Sequence, residues 1–416
     1  MTQRSGSETR RGRIRLFATV GIAVAGAMLA AACGAPASSS TASSAEPVTA
    51  TKPASPIAIT VLDGAGDLAG GAQPTIEAFA KEHPDLISNV TFQTAAATDI
   101  SGKVKAQQTG GAVDISLVLG GPDVLGAGVD QNLYMKLYPD QAANLPDLNA
   151  IQDEPRQQYQ ALADGYGVLV GFDQSGPLIA SNPTTVNEAD VPTTPEELLA
   201  WAQAHPGKFT YAAPPGSGSG RAFLQSLPYM LGDSDPSDPV NGWSKTWAYL
   251  QELGKNVSSY PASSTLLAQQ FGGGQVDLIP TIIAHDISNR KSGTWPADTN
   301  IATFQDQNWI SDGHFAMIPN GVSPATVYVV DQIISELVKP DPQALRLTTG
   351  VLTTANKDVT VENGGQAVTD FVQQWGRPDF YPKALESGTV QTPLTPEKLQ
   401  QAFDLWSRNV ASNVGG

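Results

Sequence analysis

Residues 209–231 read FTYAAPPGSGSGRAFLQSLPYML. An apolar run, Phe209 to Ala213, stops at Pro214-Pro215 and passes through five small residues, Gly216 to Gly220. Apolar residues then fall at Phe223, Leu224, Leu227 and Met230–Leu231, a helical spacing broken near Pro228. The stretch therefore reads as strand, small-residue turn, helix. Such a turn is a linker, a phosphate grip or the wall of another kind of site, and the flanking sequence has to discriminate.

The flanks repeat the same alternation. AITVLD (58–63), VTFQTA (90–95) and DISLVLG (114–120) have the composition of buried strands, and helix-patterned PTIEAFAKEHP (74–84) and DISGKVKAQQ (99–108) lie between them. Strands alternating with helices predict an α/β fold with a mostly parallel sheet covered on both faces. YGVLVGF (166–172) and PLIASN (177–182) form an extended passage long enough to cross into a second lobe. There, TPEELLAWAQAHPG (194–207) reads as a capped helix ended by Pro206-Gly207, FTYAA as a strand, and WSKTWAYLQELGKNV (243–257) as a helix. VDLIPTIIA (276–284) holds another buried strand, and helices fit 367–376 and 395–410.

The ends of the chain speak to location. The protein has 416 residues and a formal charge of −16; five arginines and one glutamate precede residue 33, so the remainder carries −20. That surface repels nucleic acid and anionic membrane. Arg10, Arg11, Arg13 and Arg15 precede an unbroken apolar run, Leu16–Ala32, and the single cysteine, Cys33, follows it. A charged segment, an apolar segment and small residues describe an export signal over 1–32. An uncleaved span is the alternative, because 17 apolar residues is the short limit for crossing a bilayer. Residues 33–56 are rich in Ala, Ser, Thr and Pro and read as a disordered tether. One cysteine excludes an internal disulfide.

Nucleotide and catalytic motifs fail on spacing. In GAGDLAGG (64–71) the third glycine comes one residue late for a dinucleotide turn, and no acidic residue ends the second strand. At GSGSG, Arg221 stands where a phosphate loop needs lysine, and Gly218 where a nucleophile elbow needs serine. His83, His205, His285 and His314 are scattered without ligand spacing, so no metal and no cofactor is expected. What GSGSG retains is two hydroxyls beside a helix N-terminus, able to bind a carboxylate, an oxyanion or a hydroxyl.

The order of several segments resembles the extracellular solute-binding proteins of ABC importers. KVKAQQTGGAVDISLVLGGPDVL (103–125), YGVLVGFDQSGPLIASN (166–182), FGGGQVDLIPTI (271–282) and GHFAMIPNGVSPATVYVVDQIISELVKPDPQ (313–343) carry the resemblance. HPGKFTYAAPP (205–215) is similar to members that bind thiamine, polyamines or iron. The resemblance implies a two-lobed periplasmic-binding-protein (type II) fold with a ligand cleft between lobes. The first lobe would span 57–175 and be completed by 311–350; the second would span 176–310 and be completed by 351–416. Gly64, Asp67, Gly120 and Asp123 would face Ser217, Gly218, Ser219 and Arg221 across the cleft; Trp295 and Trp309 could stack on a ligand ring, but buried packing is the better reading of both. The expected ligand is a small polar solute, cationic or zwitterionic. Partners would be an importer's permease and ATPase, and a lipid on Cys33 would hold a monomer to the outer membrane face. Leu29 lies four residues before Cys33, one more than the usual lipidation motif has. An exported enzyme and a surface scaffold lipoprotein are the alternatives.

Overall fold

The computed structural model describes residues 48–413; the expected signal, Cys33 and most of the expected tether lie outside them. The last nine residues of that tether belong to the body. Val48 and Ala50 pack on the first core, Thr51 N–H donates to Pro324 O at 3.0 Å, and Lys52 pairs with Asp85.

Among the described residues, nine strands form two sheets: β1 Ile57–Asp63, β2 Ile87–Thr94, β3 Ile115–Gly120, β4 Val168–Gly176, β5 Leu178–Ser181, β6 Leu278–Thr281, β7 Asn300–Ala302, β8 Asn308–Met317 and β9 Thr389–Gln391. The first sheet runs β2-β1-β3-β8-β4, with β9 added along β8; the second runs β6-β5-β7. The expectation of a mostly parallel sheet needs correction. β1 is parallel to β2 and β3, but β8 enters antiparallel to both β3 and β4, and every pairing of the second sheet is antiparallel. The reason is connectivity, since β5 and β8 continue directly out of strands of the other sheet. FTYAA is not a strand either; it runs extended and buried, touching β6 through a single parallel bridge, Phe209 to Leu278. Nor does 351–416 serve only the second sheet, because β9 joins the first.

Alternation along the strands builds a core on each sheet face. In the first sheet Ile59, Val61, Leu117 and Leu119 pack against Ile76, Phe79 and the helix Pro324–Leu337, while Leu62 and Val118 face Ile100, Val104, Leu125 and Tyr159. In the second, Ile179 and Leu278 join Phe209, Tyr211, Phe223, Leu227 and Trp406; Ala180 and Ile279 join Leu267, Phe271 and Trp295. Capping residues fix the helix starts: Ser323 accepts from Thr326 N–H, Thr194 from Glu197 N–H and Thr395 from Lys398 N–H.

Two crossings join the sheets. Only Pro177 separates β4 from β5, and residues 303–307 join β7 to β8. Gln307 ties the crossings together: its amide N–H donates to Pro177 O and its amide oxygen accepts from Phe304 N–H, both at 2.9 Å.

Candidate functional site

Beside the crossings lies a cavity of about 420 Å³. Its floor is Ser311 and Asp312 of β8 with Ser175 of β4. One wall is Thr98, Pro122 and Asp123, from helix starts that follow first-sheet strands. Opposite are Gly218, Arg221 and Gln225 of the helix Gly218–Met230. Leu399, Phe403 and Asp404 of the helix Pro396–Asn409 close the remaining side, and that helix buries Ala402 and Trp406 in the second core. The mixture of apolar walls and a few charged groups suits a small polar molecule.

The structure brings three of the eight expected ligand residues to this cavity: Asp123, Gly218 and Arg221. Ser217 caps the helix, accepting from Gly220 N–H at 3.0 Å, and its hydroxyl bonds those of Ser219 and Ser264. Gly64 donates its N–H to Leu119 O, and Gly120 packs against Val124, where a Cβ would sit 2.7 Å away. The GAGDL loop is shaped by Asp63, whose carboxylate accepts from the N–H groups of Ala65, Gly66 and Leu68; Gly66 has φ 87°, a glycine conformation. Trp295 and Trp309 are core residues, donating indole N–H to Ala268 O and Ser387 O.

Asp67 stands apart from the cavity, in a charge cluster of its own. It is 1% exposed, and its Oδ1 accepts from Arg346 Nη1 at 2.6 Å and meets His314 Nδ1 at 3.0 Å. Burial pushes this carboxyl upward, but His314 and Arg346 outweigh burial and hold it well below the ordinary carboxylate range. His314 moves the opposite way: burial disfavours its charge, and Asp67 raises its pKa regardless.

The cavity carboxylates Asp312 and Asp404 are not legible in the sequence, and neither is Asp173, which lies beside Asp312 outside the lining. Asp173 on β4 stands directly across the ladder from Asp312 on β8. Burial, then the neighbouring Asp312 charge, pushes Asp173 up to about 7. Its only sequence signal is an acidic residue inside an otherwise uncharged strand, VLVGFDQSG. Among the described residues, no three His, Cys, Asp or Glu side chains gather as a metal would require.

Residues 75–376 match the profile of the family described as bacterial extracellular solute-binding protein. Over 165 residues the chain is 28% identical to protein YnjB of Escherichia coli (strain K12), covering 36% of this chain and 42% of that protein, so it spans less than half of this relative's length. The fold is similar to that of an ABC transporter protein from Clostridium perfringens, with TM-score 0.62 and 13% identity over 86% of this chain and 99% of that one. It is also similar to the spermidine/putrescine ABC transporter substrate-binding protein PotD from Streptococcus pneumoniae, with TM-score 0.57 and 14% identity over 84% and 98%. With two sheets joined by paired crossings beside a polar cavity, and with most of its length matching one family, the chain belongs to the bacterial extracellular solute-binding proteins.

Proposed function

We propose that this protein is the substrate-binding component of an ABC importer, capturing a small polar solute between its lobes and passing it to a membrane permease driven by an ATPase. The observation that carries the reading is the 420 Å³ cavity, lined from both sheets' helices and floored by the strand that crosses between them. A binder that closes by hinge motion needs that placement, because closure then buries the ligand from two sides. Membership of the bacterial extracellular solute-binding family supports an outward-facing position for the body. Arg221, which makes no ion pair among the described residues, suits an anionic or oxygen-rich end of the solute; Asp123 suits a cationic end. These groups favour a cationic or zwitterionic ligand.

The same proposal includes an N-terminal lipid on Cys33, a tether running to about residue 47, and action as a monomer. One experiment addresses anchoring and capture together. Full-length Cys33→Ser should appear in the medium, and a small polar solute should be recoverable from it by mass spectrometry or bind to it in titration. Retention of Cys33→Ser in the membrane fraction would overturn the lipid anchor, and release of a chain that takes up no solute would overturn capture.

A further inference from the structure

Asp173 and Asp312 are direct antiparallel partners. Such partners project from one face of the sheet with their Cβ atoms about 5 Å apart, where like charges repel. Asp312 lines the cavity, as does Ser175, two residues along β4 from Asp173. Asp173 is 7% exposed, and its Oδ1 is buried with no hydrogen-bond partner. A buried, unsatisfied carboxylate oxygen on the strand partner of a cavity-lining residue is costly, and it needs a donor from somewhere.

The surrounding charges do not supply one. From β8 come Asp312 and His314; the loop after β1 adds Asp67, and the segment after Leu345 adds Arg346. His314 and Arg346 are committed to Asp67. From the helix Glu154–Ala161, Arg156 lies over the Phe172 ring but is bonded to Asp153 and Thr354 O, and the Tyr159 hydroxyl donates to Gly313 O. Ser175 contributes a hydroxyl, which favours the charged form of Asp173. Arg221 enters from the far wall of the cavity. No basic side chain among the described residues forms an ion pair with Asp173 or Asp312.

We propose that Asp173 and Asp312 together receive an ammonium group of the bound solute, so that the ligand class is amines. The inference rests on the cavity being the solute site, and it replaces Asp67 with a carboxylate pair that has hydrogen-bond donors in Gly313 N–H and Ser175 but no cationic partner among the described residues. Binding then exchanges protons. Near neutral pH Asp173 holds a proton for part of the time, because burial and Asp312 raise it to about 7. An arriving ammonium favours the charged carboxylate, so the Asp173 proton leaves to solvent as the N–H···O contacts form. The sign follows: affinity for an amine falls as pH drops through 7, and binding below pH 7 releases protons.

The test is calorimetric titration of the full-length protein with 1,4-diaminobutane, 4-aminobutanoate and amine-free succinate and glucose. Each is measured from pH 6 to 8 in buffers of differing ionisation enthalpy. An amine should bind roughly tenfold more weakly at pH 6 than at pH 8 and release up to about one proton at the acid end. Asp173→Asn, which keeps side-chain shape, should abolish the proton release and weaken amine binding at least about tenfold. Asp312→Asn, at the more exposed partner, should weaken it too, which guards against a folding defect in the first variant. Amine binding without proton release and unchanged in both variants would overturn the inference. So would binding of succinate or glucose alone, although that result would leave solute capture standing. Binding of nothing in the panel, or among a wider set of metabolites, would remove both.

Discussion

Three glycines of the GSGSG turn do different work, and atomic spacing tells them apart. A Cβ at Gly216 would lie 2.2 Å from Ala262 O, and one at Gly220 2.2 Å from Ala212 O; one at Gly218 would meet nothing nearer than Ile282 Cδ1 at 3.7 Å. Two of the glycines therefore permit close backbone packing, and the third faces the cavity. Gly220→Ala should push the helix off residues 212–214 and destabilise the protein by about 2 kcal/mol in urea unfolding, whereas Gly218→Ala should unfold at the wild-type midpoint. Equal midpoints for the two variants would contradict this division. From the sequence, the turn was legible as small residues before a helix. Its partners were not: Ala262 comes from a distant part of the chain, and Ala212, though only eight residues before Gly220, meets it only through the path of the folded turn. Asp67 shows the same boundary: a carboxylate in a loop after a strand is visible in the sequence, but Arg346, 279 positions away, is not.

At the scale of elements, the helices were more legible than the strands. Helices announce themselves locally, through caps at Thr194, Ser323 and Thr395 and through a spacing of three and four. Strand direction and partnership depend on distant chain, which is why the sequence alone suggests a strand at FTYAA and a mostly parallel sheet. The segment 365–385 depends on a contact of the same non-local kind. Asp286, fully buried on the helix Ile283–Lys291, accepts paired hydrogen bonds from Arg290 and from Arg377, plus one from the Tyr381 hydroxyl. Arg377 also donates to Thr299 O, and Arg290 to Trp375 O, so the cluster clamps this segment to the back of the second sheet's helix. Asp286→Ala leaves two guanidinium groups without their shared anion and should cost about 3–5 kcal/mol, measured by denaturant midpoint. A loss below about 1 kcal/mol would mean that solvent replaces the carboxylate.

For the whole molecule, the two-sheet plan follows from two breaks in the chain at Pro177 and 303–307, bridged by Gln307. The first crossing was legible as one long extended stretch, and the lobed fold with it. The cavity was only partly legible: Asp123, Gly218 and Arg221 line it, but its floor and its lid come from Asp312 and the helix Pro396–Asn409. Those elements are about 90 to 180 residues from the turn that opens the question, and only the folded chain joins them. On the proposed function, this cavity captures a charged polar solute. The most direct test is ligand-dependent thermal unfolding of wild type and Arg221→Glu against amines, amino acids, sugars and oxyanions. At a ligand concentration near 100 times Kd, binding adds about 2.7 kcal/mol, or a rise of roughly 3 °C for a chain of this size. The proposed function predicts such a rise for a charged solute in wild type, lost in Arg221→Glu where the solute carries an anionic group beside its ammonium and altered for a plain amine, while the unliganded midpoint is unchanged. No rise with any solute, or a rise identical in the two proteins, would contradict it.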